Sequence, residues 1–290
     1  MNLSDTTSFD LDRIKNTIIL DRCLDALCKF PANSVDFIFT SPPYANNRKK
    51  PYAGYPIDGY VKWFLEISDQ LNRILKSDGS FVLNIKERAM SGERQTYVLE
   101  LILAMKKEQG WKWTEEYIWY KKNCYPGHWP NRFRDAWERC LHFTKSSRFR
   151  MYQDRVKIPM GKWADKRLTR LSEKDHIRDE SQVGSGFGKN VSNWLGKTDV
   201  FPSNVLHLPT ECTNRGHSAS FPVALPEWFI KLFTNENDIV LDPFMGSGTT
   251  AVACVRQKRH YVGIELVEQY LTTAENRIKM EVEKNAHRRT

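Results

Sequence analysis

No stretch of the 290-residue chain approaches the roughly 18 consecutive apolar positions of a membrane span, and the polar first residues lack the apolar core of an export signal. A membrane protein is therefore disfavoured, and a cytoplasmic location is expected. The six cysteines (Cys23, Cys28, Cys124, Cys140, Cys212 and Cys254) include no C-x-x-C pair and no zinc-like cluster. A redox dithiol and a cysteine-based zinc site are thereby disfavoured, and reduced, mostly buried thiols are expected. Internal repeats and low-complexity tracts are also missing. What the chain does have is 40% hydrophobic residues, enough for a sizeable core, and a net charge of +9. That charge favours a polyanionic partner without proving one.

Apolar periodicity alternates between strand and helix. Thr17–Leu20, 35–39, 81–85, 117–120 and 140–143 read as strands. Between them, residues 60–76 and 95–109 carry helical spacing, the first expected to end at Asp78-Gly79. After residue 206 a helix opens at Pro226. Strand 238–241, helix 248–258, strand 261–264 and a final amphipathic helix follow. Alternation of this kind predicts an α/β fold with a mostly parallel twisted sheet and helices on both faces.

Residues 146–205 break the pattern. From Lys145 to Lys189 twelve basic residues face six acidic ones, a net +6, and Gly184-Ser185-Gly186-Phe187-Gly188 adds a flexible break. This reads as an inserted basic lobe between segments 1–145 and 206–290. A solvated surface excursion is the plainer alternative.

Two turns carry chemistry. Asp242-Pro243-Phe244-Met245-Gly246-Ser247-Gly248-Thr249-Thr250 follows a buried strand, and Gly246-x-Gly248-x-x-Ala251 fits a loose nucleotide-binding pattern. No Gly-Lys-Ser/Thr follows, which disfavours a phosphate-loop ATPase. Glu265, at the end of the next strand, can accept hydrogen bonds from ribose hydroxyls. The second turn, Ser41-Pro42-Pro43-Tyr44, offers rigid carbonyls and an aromatic face to a flat, amine-bearing ring.

Together these turns resemble those of the permuted (beta-class) DNA amino-methyltransferases, over residues 15–145 and 206–290. The D-P-F-x-G-S-G-T-T signature is matched throughout. The resemblance implies a Rossmann-like methyltransferase fold and S-adenosyl-L-methionine as cofactor. It implies that Asp242, Phe244, Gly246, Ser247, Gly248, Thr249 and Thr250 wrap the donor's methionine part. It also implies that Glu265 holds the ribose, Asp21 lies near the adenine, and Asp242 faces the cationic end. His217-Ser218-Ala219-Ser220-Phe221-Pro222 resembles the element packing against the cofactor, giving His217 and Phe221. Trp119-Tyr120-Lys121-Lys122-Asn123 and Arg132-Phe133-Arg134 resemble the lining of the base pocket, with a core position an equal alternative for Trp119. The insert 146–205 corresponds to the target-recognition region.

An exocyclic amine is a poor nucleophile because its lone pair is delocalised into the ring. The Ser41 hydroxyl and Pro42 carbonyl can accept its two N–H bonds, Pro42 and Pro43 stiffen the turn, and Tyr44 can stack on the base. Reaching that amine in double-stranded DNA requires base flipping. Arg48, Lys49 and Lys50 are placed to hold the displaced strand, and Arg167 and Arg170 in the insert to contact phosphates. No cysteine follows a proline, as covalent methylation at cytosine C5 needs. Serine at the first motif position resembles the N4-cytosine members of restriction-modification systems; an N6-adenine enzyme is the alternative. An NAD-dependent oxidoreductase or a non-catalytic DNA-binding protein stands further off. A cognate restriction endonuclease is a plausible companion, with the chain itself a monomer or homodimer.

Overall fold

The computed structural model describes residues 8–45, 54–123, 130–161, 168–169, 195–210 and 221–287. In chain order the first elements are α1 (Leu11–Ile14), β1 (Thr17–Leu20), α2 (Cys23–Leu27), β2 (Val35–Thr40) and α3 (Ile57–Ile74). Next come β3 (Leu75–Ile85), the short pair β4 (Ala89–Met90) and β5 (Glu93–Arg94), α4 (Tyr97–Glu108), β6 (Lys112–Lys121) and β7 (Trp137–Thr144). A second short pair, β8 (Ile158–Pro159) and β9 (Asp199–Val200), precedes β10 (Val205–Leu208). The chain closes with α5 (Ala224–Phe233), β11 (Ile239–Asp242), α6 (Thr249–Arg256), β12 (His260–Glu265) and α7 (Glu268–His287).

Eight strands form one sheet in the order β1-β12-β11-β2-β3-β7-β6-β10. All pairings are parallel except those of β7 with β3 and β6. The expected α/β class is therefore observed. Strand β2 is buried along its length, as strands covered on both faces are. Its Phe37 and Phe39 rings meet Phe233 and Phe229 of α5, while Ile38 joins the core shared with α2, α3 and α4. The sheet is thus a middle layer between two helical layers.

Helix α3 forms because Tyr60, Phe64, Ile67, Leu71 and Ile74 recur on one buried face. It ends at Ile74, earlier than expected. Asp78-Gly79 does not close the helix; it lies inside β3, where the register against β2 slips between Val35 and Phe37. Glycine is required there, since a Cβ at Gly79 would stand 2.7 Å from the Asp36 carbonyl oxygen. Strand β10, a four-residue edge strand in which only Leu206 is fully buried, was not foreseen.

The chain divides into two compact units, residues 1–152 with 204–290, and residues 153–203. Residues 146–152 belong with the sheet for a visible reason. Arg150 donates to Asp36 (2.7 Å) and Asp238 (2.8 Å) and pairs with Asp78 (3.2 Å), which joins the starts of β2, β11 and β3. Within the smaller unit, β8 pairs with β9 and Lys157 lies over the Phe201 ring.

Candidate functional site

Strands β11 and β2 are neighbours, yet the chain proceeds from them in opposite directions, β11 toward β12 and β2 toward β3. At such a reversal the loops leaving the carboxyl ends diverge and open a crevice. A cavity of about 430 Å³ lies there, within the range of small-molecule sites. It is lined by Ser41, Pro42, Pro43 and Tyr44 from the loop after β2. Opposite them stand Phe244, Gly246, Ser247, Thr249 and Glu265. Asp21 and Phe221 complete the set of expected residues in its wall. Two segments some 200 positions apart therefore share one cleft.

Asp242 behaves otherwise. It is 1% exposed and does not line the cavity. Its Oδ1 accepts from the Thr40 hydroxyl (2.7 Å) and the Phe244 N–H (3.1 Å), and its Oδ2 from the Thr250 hydroxyl (2.6 Å). The carboxylate stitches the end of β2 to the glycine turn instead of facing a ligand's cationic end. Burial pushes its pKa up to about 6, although all three hydrogen bonds pull downward. Gly248 and Thr250 likewise stand behind the wall. Gly248 has φ 80°, and a Cβ there would meet Ala274 of α7 at 2.8 Å.

Glu265 shapes the turn and faces the cavity at once. Its Oε2 accepts from the Gly246 N–H (2.8 Å), and Oε1 from the N–H groups of Leu266 and Val267 (2.9 Å each). A carboxylate so held is an acceptor fixed in the cavity wall, within reach of a ligand hydroxyl. Asp21 is held by its neighbour's backbone N–H and by Lys29 (3.1 Å).

The Ser41–Tyr44 loop is equally braced. Tyr60 donates to the Pro43 carbonyl (3.0 Å), which ties the loop to α3. Tyr44 donates its phenolic O–H to Glu138 (2.9 Å), whose other oxygen accepts from Lys121 (2.6 Å). Burial, reinforced by the Glu138 charge, holds the Tyr44 phenol well above its ordinary pKa, so it remains a donor. Cys23 also lines the cavity, but burial raises its thiol pKa far from a nucleophile's range.

His217, Arg48, Lys49, Lys50, Arg167 and Arg170 lie outside the described residues. Trp119 takes the core alternative: it is 3% exposed, donates its indole N–H to the Leu208 carbonyl (3.1 Å) and is absent from the cavity wall. Phe133, by contrast, is 94% exposed. Sequence reasoning missed Tyr55, Trp63 and Glu66, which also line the cavity. Trp63 stacks on Tyr55 at 4.0 Å and packs against Phe244. Their signal was present, since Trp63 and Glu66 are three apart on α3, but the helix read only as core. Glu138 carried no signal until β6 and β7 paired, and only that pairing gave Lys121, from the segment read as base-pocket lining, its carboxylate partner. Among the described residues no cluster suits a metal ion, and no helix is long and apolar enough to cross a membrane.

Three comparisons bear on this geometry. The type II methyltransferase M.PvuII of Proteus hauseri is 30% identical over 271 residues, spanning 87% of this chain and 80% of that one. The solved structure of a PvuII DNA methyltransferase, described as cytosine-N4-specific, superposes with a TM-score of 0.67 at 24% identity, covering 96% of this chain and 93% of its own. TTHA0409 from Thermus thermophilus, a DNA modification methylase solved with S-adenosyl-L-methionine, gives 0.62 at 22% identity, covering 92% and 94%. Both structures share the methyltransferase fold seen here. A model of the N6_N4_Mtase family, described as DNA methylase, matches residues 35–276. With that match spanning most of the chain and both signature turns meeting in one cleft, the protein belongs to the N6/N4 DNA methylase family.

Proposed function

We propose that this chain is a site-specific, permuted (beta-class) DNA methyltransferase acting on the exocyclic N4 amine of a cytosine flipped out of duplex DNA. One observation carries the reading: Ser41–Tyr44 and the Gly246–Thr249 turn line a single cavity. The methyl donor is S-adenosyl-L-methionine, which supplies an electrophilic methyl group on a sulfonium. The residues present fit it. The glycine turn lines the cavity through Gly246, Ser247 and Thr249, Glu265 presents a carboxylate to it, and the volume suits a nucleoside-sized ligand.

Around that donor the chain's own groups have separate tasks. Ser41 and the Pro42 carbonyl accept the amine's N–H bonds and so turn its lone pair toward the methyl. Pro43 stiffens the turn, and its carbonyl accepts from Tyr60 of α3. Tyr44, fixed through Glu138, presents its ring as a stacking platform. Because the proton leaving the alkylated nitrogen is acidic, no strong base is required. Residues 146–205, with their basic excess, are read as the target-recognition region, and the likeness to type II methyltransferases supports reading the chain as part of a restriction-modification system with a partner endonuclease.

The test is to methylate plasmid DNA with the purified protein, digest it to nucleosides and identify the product by mass spectrometry. N4-methylcytosine is expected. N6-methyladenine would transfer the reading to adenine, which the same acceptors can serve, and absence of any methylated nucleoside would end it.

A further inference from the structure

The Gly246–Thr249 turn is clasped from behind by a cation that no part of the foregoing reaction uses. Arg277, on α7, donates through one guanidinium nitrogen to the Ser247 carbonyl (2.6 Å), the Ser247 hydroxyl (2.8 Å) and the Thr249 hydroxyl (3.2 Å). A guanidinium has only N–H donors, so both hydroxyl oxygens must act toward it as acceptors. Their own hydrogens are thereby directed elsewhere, and among the described residues neither has another acceptor. Ser247 and Thr249 both line the cavity, each only 4% exposed.

Two oriented O–H donors, polarised by a half-buried positive charge, form a receptor for an anionic oxygen pair. Neutral acceptors would gain little from such an arrangement, whereas a carboxylate gains a charge-assisted bond from each hydroxyl. On the donor assigned above, one group answers that description: the α-carboxylate of its methionine moiety. We infer that Arg277 is a positioning residue for a carboxylate subsite, acting through the Ser247 and Thr249 hydroxyls. The inference rests on the methyltransferase reading and adds to it a residue outside both signature turns.

Calorimetric titration separates the two. Wild-type protein should bind S-adenosyl-L-methionine roughly tenfold or more tighter than its decarboxylated analogue, the range of hydrogen bonds to a charged group. Arg277→Met should erase that preference, weakening the parent compound roughly tenfold while leaving the analogue within about twofold. Ser247→Ala, a smaller change that leaves the clasp largely in place, should shift the same preference in the same direction. Equal binding of both compounds by wild type, or equal weakening of both in the variants, would overturn the subsite. If wild type binds neither compound, the methyltransferase reading fails instead.

Discussion

Tyr44 is restrained at its hydroxyl and free at its ring, which makes it separable by substitution. Tyr44→Ala removes the stacking face and should lower kcat/KM about 10- to 100-fold with donor affinity unchanged, as read by steady-state kinetics beside calorimetry. Tyr44→Phe keeps the face and loses the phenolic bonds to Glu138 and Ser41. Its turnover should fall less, while stability drops by about 1–3 kcal/mol for the buried acceptor left short of a donor. Equal kinetic loss in both variants would refute a stacking role. Asp242 yields a pH signature instead. Its folded pKa of about 6 lies above the ordinary carboxylate value, so the native state holds a proton that the unfolded state releases. Stability from this group is thus present at low pH and lost as pH rises from about 4 through 6. The difference in urea unfolding free energy between wild type and Asp242→Asn should shift against wild type by up to about 3 kcal/mol across that window. A difference independent of pH would show that the carboxyl is charged throughout.

At the scale of elements, the glycine turn and the strand starts depend on two devices of opposite character. The turn needs space: Gly248 stands at φ 80° with Ala274 of α7 against it. Gly248→Ala should cost about 2–4 kcal/mol from the left-handed backbone and the clash together, visible as a lowered denaturant midpoint. The strand starts need charge. Arg150 holds Asp36, which is 3% exposed, and removing the guanidinium leaves Lys76 as the remaining cation beside it. Arg150→Met should therefore destabilise by about 3 kcal/mol, near the lower end for breaking a buried ion pair. An unchanged midpoint would mean that Lys76 suffices. Neither device reads as function in the sequence, yet one lies within a cavity-lining turn and the other on β2 and just before β11, the strands that lead to the two turns.

For the molecule as a whole, the net charge of +9 is a statement about partners. If the basic stretch 146–205 meets the phosphate backbone, reversing Arg167 and Arg170 to glutamate should weaken binding to duplex DNA. The slope of log K against log salt should also become shallower by about 2, since each phosphate no longer neutralised takes about 0.9 from it. Fluorescence anisotropy across salt concentrations measures this, and an unaltered slope would make the segment a bystander to DNA binding.

Local order supplied what the sequence could determine alone. Apolar periodicity marked most strands of the large sheet, because burial of β2 or β11 needs only their own side chains. The two signature turns were legible for the same reason, their glycines and prolines encoding backbone shape within a few residues. Tertiary structure decided what contacts between distant segments decide. That Asp242 serves Thr40 and Thr250 in place of a ligand, that Glu138 anchors Tyr44, and that Trp63 and Glu66 of α3 join the cavity wall all depend on side chains far apart in the chain. No spacing rule reaches across such separations; only the closing of the sheet brings those groups within bonding distance.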